Sequence, residues 1–446
     1  MKRFNLLVLL SGLVLVLGLT GCYSKEPREE VLKVYNWGDY IDEGVLEEFP
    51  KWYKEQTGKN IRVIYQTFDI NEIMLTKIER GHEDYDVVCP SEYIIERMLK
   101  KDLVLPIDTN FGKTPNYLHN LSPYICEQLN QVSQPGRLAE HYAVGYMWGT
   151  AGILYNKAQV TREEASTWES LWNPKFVRQL LMKDSYRDAY GTAIIYANRE
   201  KLFNGTVRVT DLMNNYSDEA IAVAEEYLKA MKPNIAGWEA DFGKEMMTKG
   251  KAALNMTWSG DAVWAIEEAG AVGVELDYEV PIEGSNIWFD GWVIPKYSRN
   301  PKAASYFINY MCRSDVALAN METTGYVSAV ATPEILEVKL DSTVETTTNL
   351  GYFFGPEARA VKINSIQYPD SSVVARCAMI HDSGKRTERV LAMWSHVKGD
   401  NLGGGLVLLI LVTVGVLVIY KVYLILKRKK YSSHQRTRRR KKQASR

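Results

Sequence analysis

Past residue 30 the apolar positions alternate between two periods. Val31–Tyr35 reads as a short strand, and Val45, Leu46, Phe49, Trp52 and Tyr53 then recur at helical spacing up to Gly58. Pro50 sits inside that run and argues against an unbroken helix, because proline lacks a backbone donor and crowds the preceding turn. Ile61–Phe68 is the next strand, and Ile70–Glu79 is helical as far as Gly81. Tyr85–Cys89 has the apolar run of a buried strand, and a helix through Met98 follows Pro90 and Ser91. Strand and helix alternating in this way predict a parallel sheet with helices on both faces.

Tyr142–Tyr155 is long, extended and glycine-containing, and reads as a crossing between two lobes. A second alternating region follows: strand 176–182, helix 188–198, an amphipathic helix 217–231 capped by Ser217, helix 243–249, and strands 252–257 and 274–280. Gly284–Pro295 is an apolar strand with one carboxylate, Asp290, inside it, and reads as the return crossing. Helices 301–312 and 314–322 and the turn Thr324-Gly325-Tyr326 come next. Residues 331–385 are less regular, and Arg389–Val397 is a last helix.

The two ends carry a different signal. Lys2 and Arg3 precede an apolar run, Leu6–Leu19, that reads as a secretory signal. It closes on Leu19-Thr20-Gly21-Cys22, a lipoprotein-type cleavage box that would leave Cys22 lipidated, followed by a polar tether to residue 30. Residues 401–420 are uncharged, and at about 1.5 Å per residue they span about 30 Å, the thickness of a bilayer core. The basic residues from Lys427 to Arg446 would lie in the cytoplasm, which places residues 23–400 outside it. Cys89, Cys126, Cys312 and Cys377 show no metal-ligand spacing; their separation permits a disulfide without requiring one and favours buried free thiols.

A formal net charge of 0 hides this segregation. Of 54 Lys and Arg, 11 lie in the basic tail and 2 at the N-terminus; the other 41 face 54 acidic residues, a net of −13. An acidic body attracts cationic ligands and excludes nucleic acid as a partner, although an acidic surface also serves solubility alone.

Ligands of open sheets sit where loops leave the strand ends. Just beyond those ends stand Trp37, Asp39 and Tyr40; Ser91 and Tyr93; Asp184, Ser185 and Asp188; Trp258 and Asp261; and Trp288 and Asp290 lie within the return crossing. The set is aromatic and acidic, which is what an alkylammonium needs: carboxylates for the charged ends, ring faces for the methylenes and for cation–π attraction. Each of these residues taken singly also fits packing or helix capping. Nucleophile-elbow, phosphate-loop and zinc-protease motifs are absent, so no catalytic residue, metal or cofactor is assigned. Asp39 paired with Asp188 or Asp290, as in a glycosidase, is the weakest reading.

In these segments the chain resembles the spermidine/putrescine-binding proteins of bacterial ABC importers. The resemblance is carried by residues 34–41 (Val-Tyr-Asn-Trp-Gly-Asp-Tyr-Ile), 85–91 (Tyr-Asp-Val-Val-Cys-Pro-Ser), 168–172 (Trp-Glu-Ser-Leu-Trp), 287–290 (Ile-Trp-Phe-Asp) and 324–326 (Thr-Gly-Tyr). It implies an α/β, two-lobed periplasmic binding protein fold of type II, to which the 401–426 segment adds one C-terminal transmembrane helix. It implies an aromatic box of Trp37, Tyr40, Trp258 and Trp288, flanked by Ser91, Tyr93 and Tyr326. Asp290 then holds one amino group. Asp188 stands where the family has a longer glutamate, and Ser185 where spermidine binders carry an aspartate, which tilts the preference toward putrescine. A family glutamine is missing around Ile380 and His381.

The expected organisation is a signal over 1–21, a tether over 22–30, lobe 1 from 31–145 and 287–335, and lobe 2 from 146–286 and 336–400. A membrane helix over 401–426 and a basic cytoplasmic tail over 427–446 complete it. The expected function is a polyamine-binding component, not an enzyme, held at the cytoplasmic membrane and serving a separate ABC permease and ATPase. A membrane-anchored polyamine sensor, or a binder of another small cationic solute, is the alternative.

Overall fold

Burial on both faces marks the first strand of the computed structural model, which describes residues 27–240, 242–399 and 411–423. β1 (Val31–Trp37) pairs in parallel with β2 (Arg62–Phe68) and with β3 (Val87–Val88), setting Val34 beside Val87 and Tyr35 beside Val88. The signal, Cys22, residues 23–26 of the tether, most of the 401–426 span and the basic tail lie outside the described residues.

The helix Glu43–Thr57 runs through Pro50 without interruption. Its stripe of Val45, Phe49, Trp52 and Tyr53 is buried, the Asp42 side chain accepts from the Val45 amide, and Gly58 closes it at φ 72°. Burial of that stripe outweighs the one donor that proline removes. The expected strand 176–182 is shorter. Pro174–Phe176 is a 3₁₀ turn capped by Asn173, and Arg178 takes a left-handed φ of 57°, so the strand β6 is only Leu180–Lys183.

The other strands are β4 (Val104–Leu105), β5 (Ala143–Asn156), β7 (Ile235–Glu239), β8 (Leu254–Trp258), β9 (Leu276–Glu279), β10 (Ser285–Pro295), β11 (Val327–Ser328) and β12 (Cys377–Ala378). Their order along the sheet is β2-β1-β3-β10-β5-β8-β6-β7. The flanks are parallel, as alternation predicts, but the centre is not. β10 runs antiparallel to β3 and β5, and β5 antiparallel to β8 and β9. The sheet is therefore mixed, because both long crossings enter it against their neighbours.

β5 and β10 are buried along their whole lengths. They lie side by side at the centre of the strand order. Their register slips between Asp290 and Gly291, where Tyr146 of β5 is the extra unpaired residue, so the bulge lies on β5 opposite Asp290. The main buried cluster gathers β1, β3, the first half of β5, β10 and the helix Pro301–Met311. Leu350, Phe353, Ala358, Ile363 and Tyr368 also belong to it, although the sequence groups 336–400 with the second lobe. Cys89, Cys126, Cys312 and Cys377 are free thiols.

Two units divide the chain, Met1–Thr387 and Glu388–Arg446. In the second, residues 411–423 are helical and exposed. No helix among the described residues is long and apolar enough to cross a membrane.

Candidate functional site

Asp290, on β10 opposite that bulge, is the centre of the candidate site. Its Oδ2 accepts from the Tyr40 hydroxyl at 2.9 Å, and a backbone bridge sets Ser91 beside it. The carboxyl is buried, and burial pushes it up to about 6 against the pull of the Ser91 and Tyr40 hydroxyls. Its other oxygen, Oδ1, accepts no well-formed hydrogen bond.

An aromatic chain runs from this carboxylate. Tyr40 meets Tyr326 edge-on at 5.2 Å, Tyr326 meets Trp288 at 5.5 Å, and Trp288 meets Trp258 at 6.4 Å. Two glycines make room for it. A side chain on Gly149 would fall 2.9 Å from the Trp288 ring, and one on Gly260 would fall 2.2 Å from the Tyr326 ring. The Tyr326 hydroxyl donates to Asp261 at 2.9 Å.

A second carboxylate lies beyond the tryptophans. Asp188, in the first turn of the helix Tyr186–Ala197, accepts from Asn286 at 3.1 Å. Burial pushes it up, and hydrogen bonds from Ser185, Asn286 and Trp258 hold it back. Ser91 and Tyr93 are joined through Asn71, whose amide donates to both, at 3.0 and 2.7 Å. The Arg187 guanidinium covers the Tyr93 ring at 3.8 Å and pairs with Glu72 at 2.6 Å. Tyr186 donates to the same Glu72 oxygen, so this ion pair ties the helix Asn71–Glu79 to the helix Tyr186–Ala197.

The structure thus gathers Tyr40, Ser91, Trp258, Trp288, Asp290 and Tyr326 in direct succession, with Asp188 and Tyr93 alongside. Trp37 packs on Phe68 at 4.5 Å, and its indole N–H is buried without a partner. Ser185 caps its helix, accepting from the Asp188 amide at 3.4 Å, and its hydroxyl also bonds the Asp188 carboxyl. Asp39 stands exposed in the turn before Tyr40, at a left-handed φ of 48°.

Sequence reasoning passed over several neighbours. Glu92 is 1% exposed, one of its oxygens has no partner, and burial followed by the Asp290 charge pushes its pKa well up. In sequence it looks like any acid in a first helical turn. Asn71 and Asn286 likewise keep an orphan carbonyl oxygen each. A glutamine does reach the tyrosine loop, from Gln367: its amide donates to the Gly325 carbonyl at 3.1 Å. His381, near which the family glutamine was sought, pairs with Glu96 instead.

Asp290 Oδ1, Asn71 Oδ1 and Asn286 Oδ1 are buried acceptors with no well-formed hydrogen bond, Glu92 Oε2 belongs to a carboxyl that burial pushes well up, and the Trp37 and Trp288 indole N–H groups are buried donors with none. Each left unpaired costs about 1–3 kcal/mol. A ligand that donates hydrogen bonds answers the three acceptors. Two shallow surface depressions, one lined by Leu46, Pro50 and Tyr65 and one by Trp172, Tyr196 and Tyr227, share none of these residues.

Comparison with known proteins places the fold. A family profile described as bacterial extracellular solute-binding protein matches residues 50–346. The spermidine/putrescine-binding periplasmic protein of Salmonella typhimurium is 30% identical over 385 residues, 86% of this chain and 95% of that protein. A putrescine-binding periplasmic protein of Escherichia coli is 26% identical over 78% of this chain and 89% of its own length. Among solved structures, a spermidine/putrescine ABC transporter substrate-binding protein of Streptococcus pneumoniae is 30% identical, with a TM-score of 0.61 over 83% of this chain and 98% of that one.

Proposed function

The chain belongs to the bacterial extracellular solute-binding proteins, and from that membership we propose that it captures a polyamine, putrescine or spermidine, for an ABC importer. Its relatives are solute-binding proteins and not enzymes, and they share its two-lobed periplasmic binding protein fold. Polyamine relatives support the ligand class. The observation that carries the site assignment is the set of orphan acceptor oxygens along the aromatic path. An alkylammonium supplies three donors and no acceptor.

In this reading Asp290, assisted by Tyr40 and Ser91, takes one ammonium, and Asp188 with Asn286 takes the other. Trp288, Trp258, Tyr326 and Tyr40 face the methylenes, with Trp37 and Tyr93 at the margins. Asp290 leaves the apolar strand with one oxygen already committed to Tyr40, so the ligand meets an oriented carboxylate. Capture proceeds by lobe closure about β5 and β10. Ligand contacts to both sides favour the closed form, and the Glu72–Arg187 pair latches it. The separate permease and ATPase would receive the ligand.

Cys22 as a lipid anchor and 401–426 as a membrane helix belong to the same proposal, and would hold the binding unit against the outer face of the cytoplasmic membrane. Asp290→Ala tests the site: binding of putrescine, followed by calorimetry, should be lost, and near-normal affinity would remove Asp290 from it.

A further inference from the structure

One buried group beside this site is unaccounted for. Lys183 closes β6 with its side chain 1% exposed, and its ammonium lies 2.7 Å from Asp261 Oδ2 and 3.3 Å from Glu239 Oε1. It donates to the Ala240 carbonyl at 2.7 Å and sits 4.5 Å from the centre of the Trp258 ring. Glu239 is fully buried, and Asp261 also receives the Tyr326 hydroxyl and faces Lys244 at 3.5 Å. Asp188 feels the Lys183 charge as well.

Stability alone is a weak reason for such a cluster, since buried ion pairs exchanged for apolar side chains often leave a protein no less stable. The chemistry offers a better one. An ammonium held by carboxylates against an indole face uses the same chemistry as that proposed for each end of the free ligand. Trp258 and Tyr326 serve both places. A lysine side chain is four methylenes ending in an ammonium, the same unit as the aminobutyl arm of a polyamine.

We infer that Lys183 is a built-in polyamine arm, filling a second ammonium subsite of Trp258, Asp261 and Glu239 and so restricting the free ligand to a diamine. The inference rests on the polyamine reading and assigns its length selectivity. A triamine would need the place that Lys183 holds, while putrescine, in the proposed reading, uses only Asp290 and Asp188.

The test uses the full chain and two variants. Lys183→Met combined with Glu239→Gln removes one charge of each sign and leaves Asp261 to receive an incoming ammonium. Wild type should bind putrescine at least as tightly as spermidine. The double variant should move the ratio about tenfold or more toward spermidine, the worth of one new charge-assisted hydrogen bond. Lys183→Met alone takes the buried cation from between Glu239 and Asp261 and should melt at a lower temperature, with spermidine restoring that temperature more than putrescine does. An unchanged affinity ratio, an equal rise in melting temperature with both amines, or a wild-type preference for spermidine would overturn the inference. A wild-type chain that binds neither amine overturns the polyamine reading itself, which separates the two failures.

Discussion

Lowering the pH should weaken putrescine binding through Asp290. Its unliganded carboxyl is raised to about 6 because burial disfavours the charge more than Ser91 and Tyr40 stabilise it. A diamine is fully protonated across this range, and it pairs with the ionised carboxylate. About nine-tenths of the sites are ionised at pH 7 and about one-tenth at pH 5. Affinity should therefore fall about tenfold between them, about 1.4 kcal/mol, and binding at pH 5 should release close to one proton. Titration calorimetry in two buffers of different ionisation enthalpy reads both quantities. Asp290→Asn should bind weakly and lose the pH slope. The same shift has a consequence for stability. A carboxyl raised in the fold favours folding below its unfolded value near 4 and opposes it as pH climbs through about 6. At pH 7 the unliganded Asp290→Asn chain should thus be more stable than wild type by up to about 3 kcal/mol, and this gain should vanish near pH 4. Affinity that is flat from pH 5 to 7, or a slope that survives in Asp290→Asn, would refute the reasoning.

Gly260→Ala should displace Tyr326, because the new methyl falls 2.2 Å from its ring; we expect a loss of about 1–3 kcal/mol in stability by thermal melting, with weaker putrescine binding. Glu72→Gln should weaken the latch to Arg187 and lower affinity by about 1–3 kcal/mol, with solution scattering showing a larger radius of gyration at subsaturating ligand than wild type. Trp288→Leu keeps an apolar filler but removes the π face, and should lower putrescine affinity about 3- to 30-fold by calorimetry.

Much of the fold was legible because burial follows simple periods. The fully buried crossings β5 and β10 stand out as long apolar runs, and Ser217 caps its helix as its position implies. Boundaries failed where local chemistry competed with the period. Pro174 and the left-handed Arg178 shorten β6, while the packed face around Phe49 carries its helix through Pro50. The mixed sheet was not legible, since strand direction depends on where a crossing re-enters.

The site was legible at its aromatic and acidic strand ends because those residue types recur there. Glu92 hid as a capping acid, and Lys183 as the last residue of a four-residue strand. Only folding makes Glu92 a neighbour of Asp290, and sets Lys183 between Glu239 and Asp261. Ser185, read as a binding position, also caps its own helix.

The most direct measurement is a calorimetric titration of the purified chain with putrescine, spermidine and a monoamine of similar length. The account predicts micromolar or tighter binding of putrescine, with the monoamine silent because it lacks a second ammonium for Asp188. Equal binding of the monoamine, or no heat with any amine, would contradict a pocket built to hold a cation at both ends.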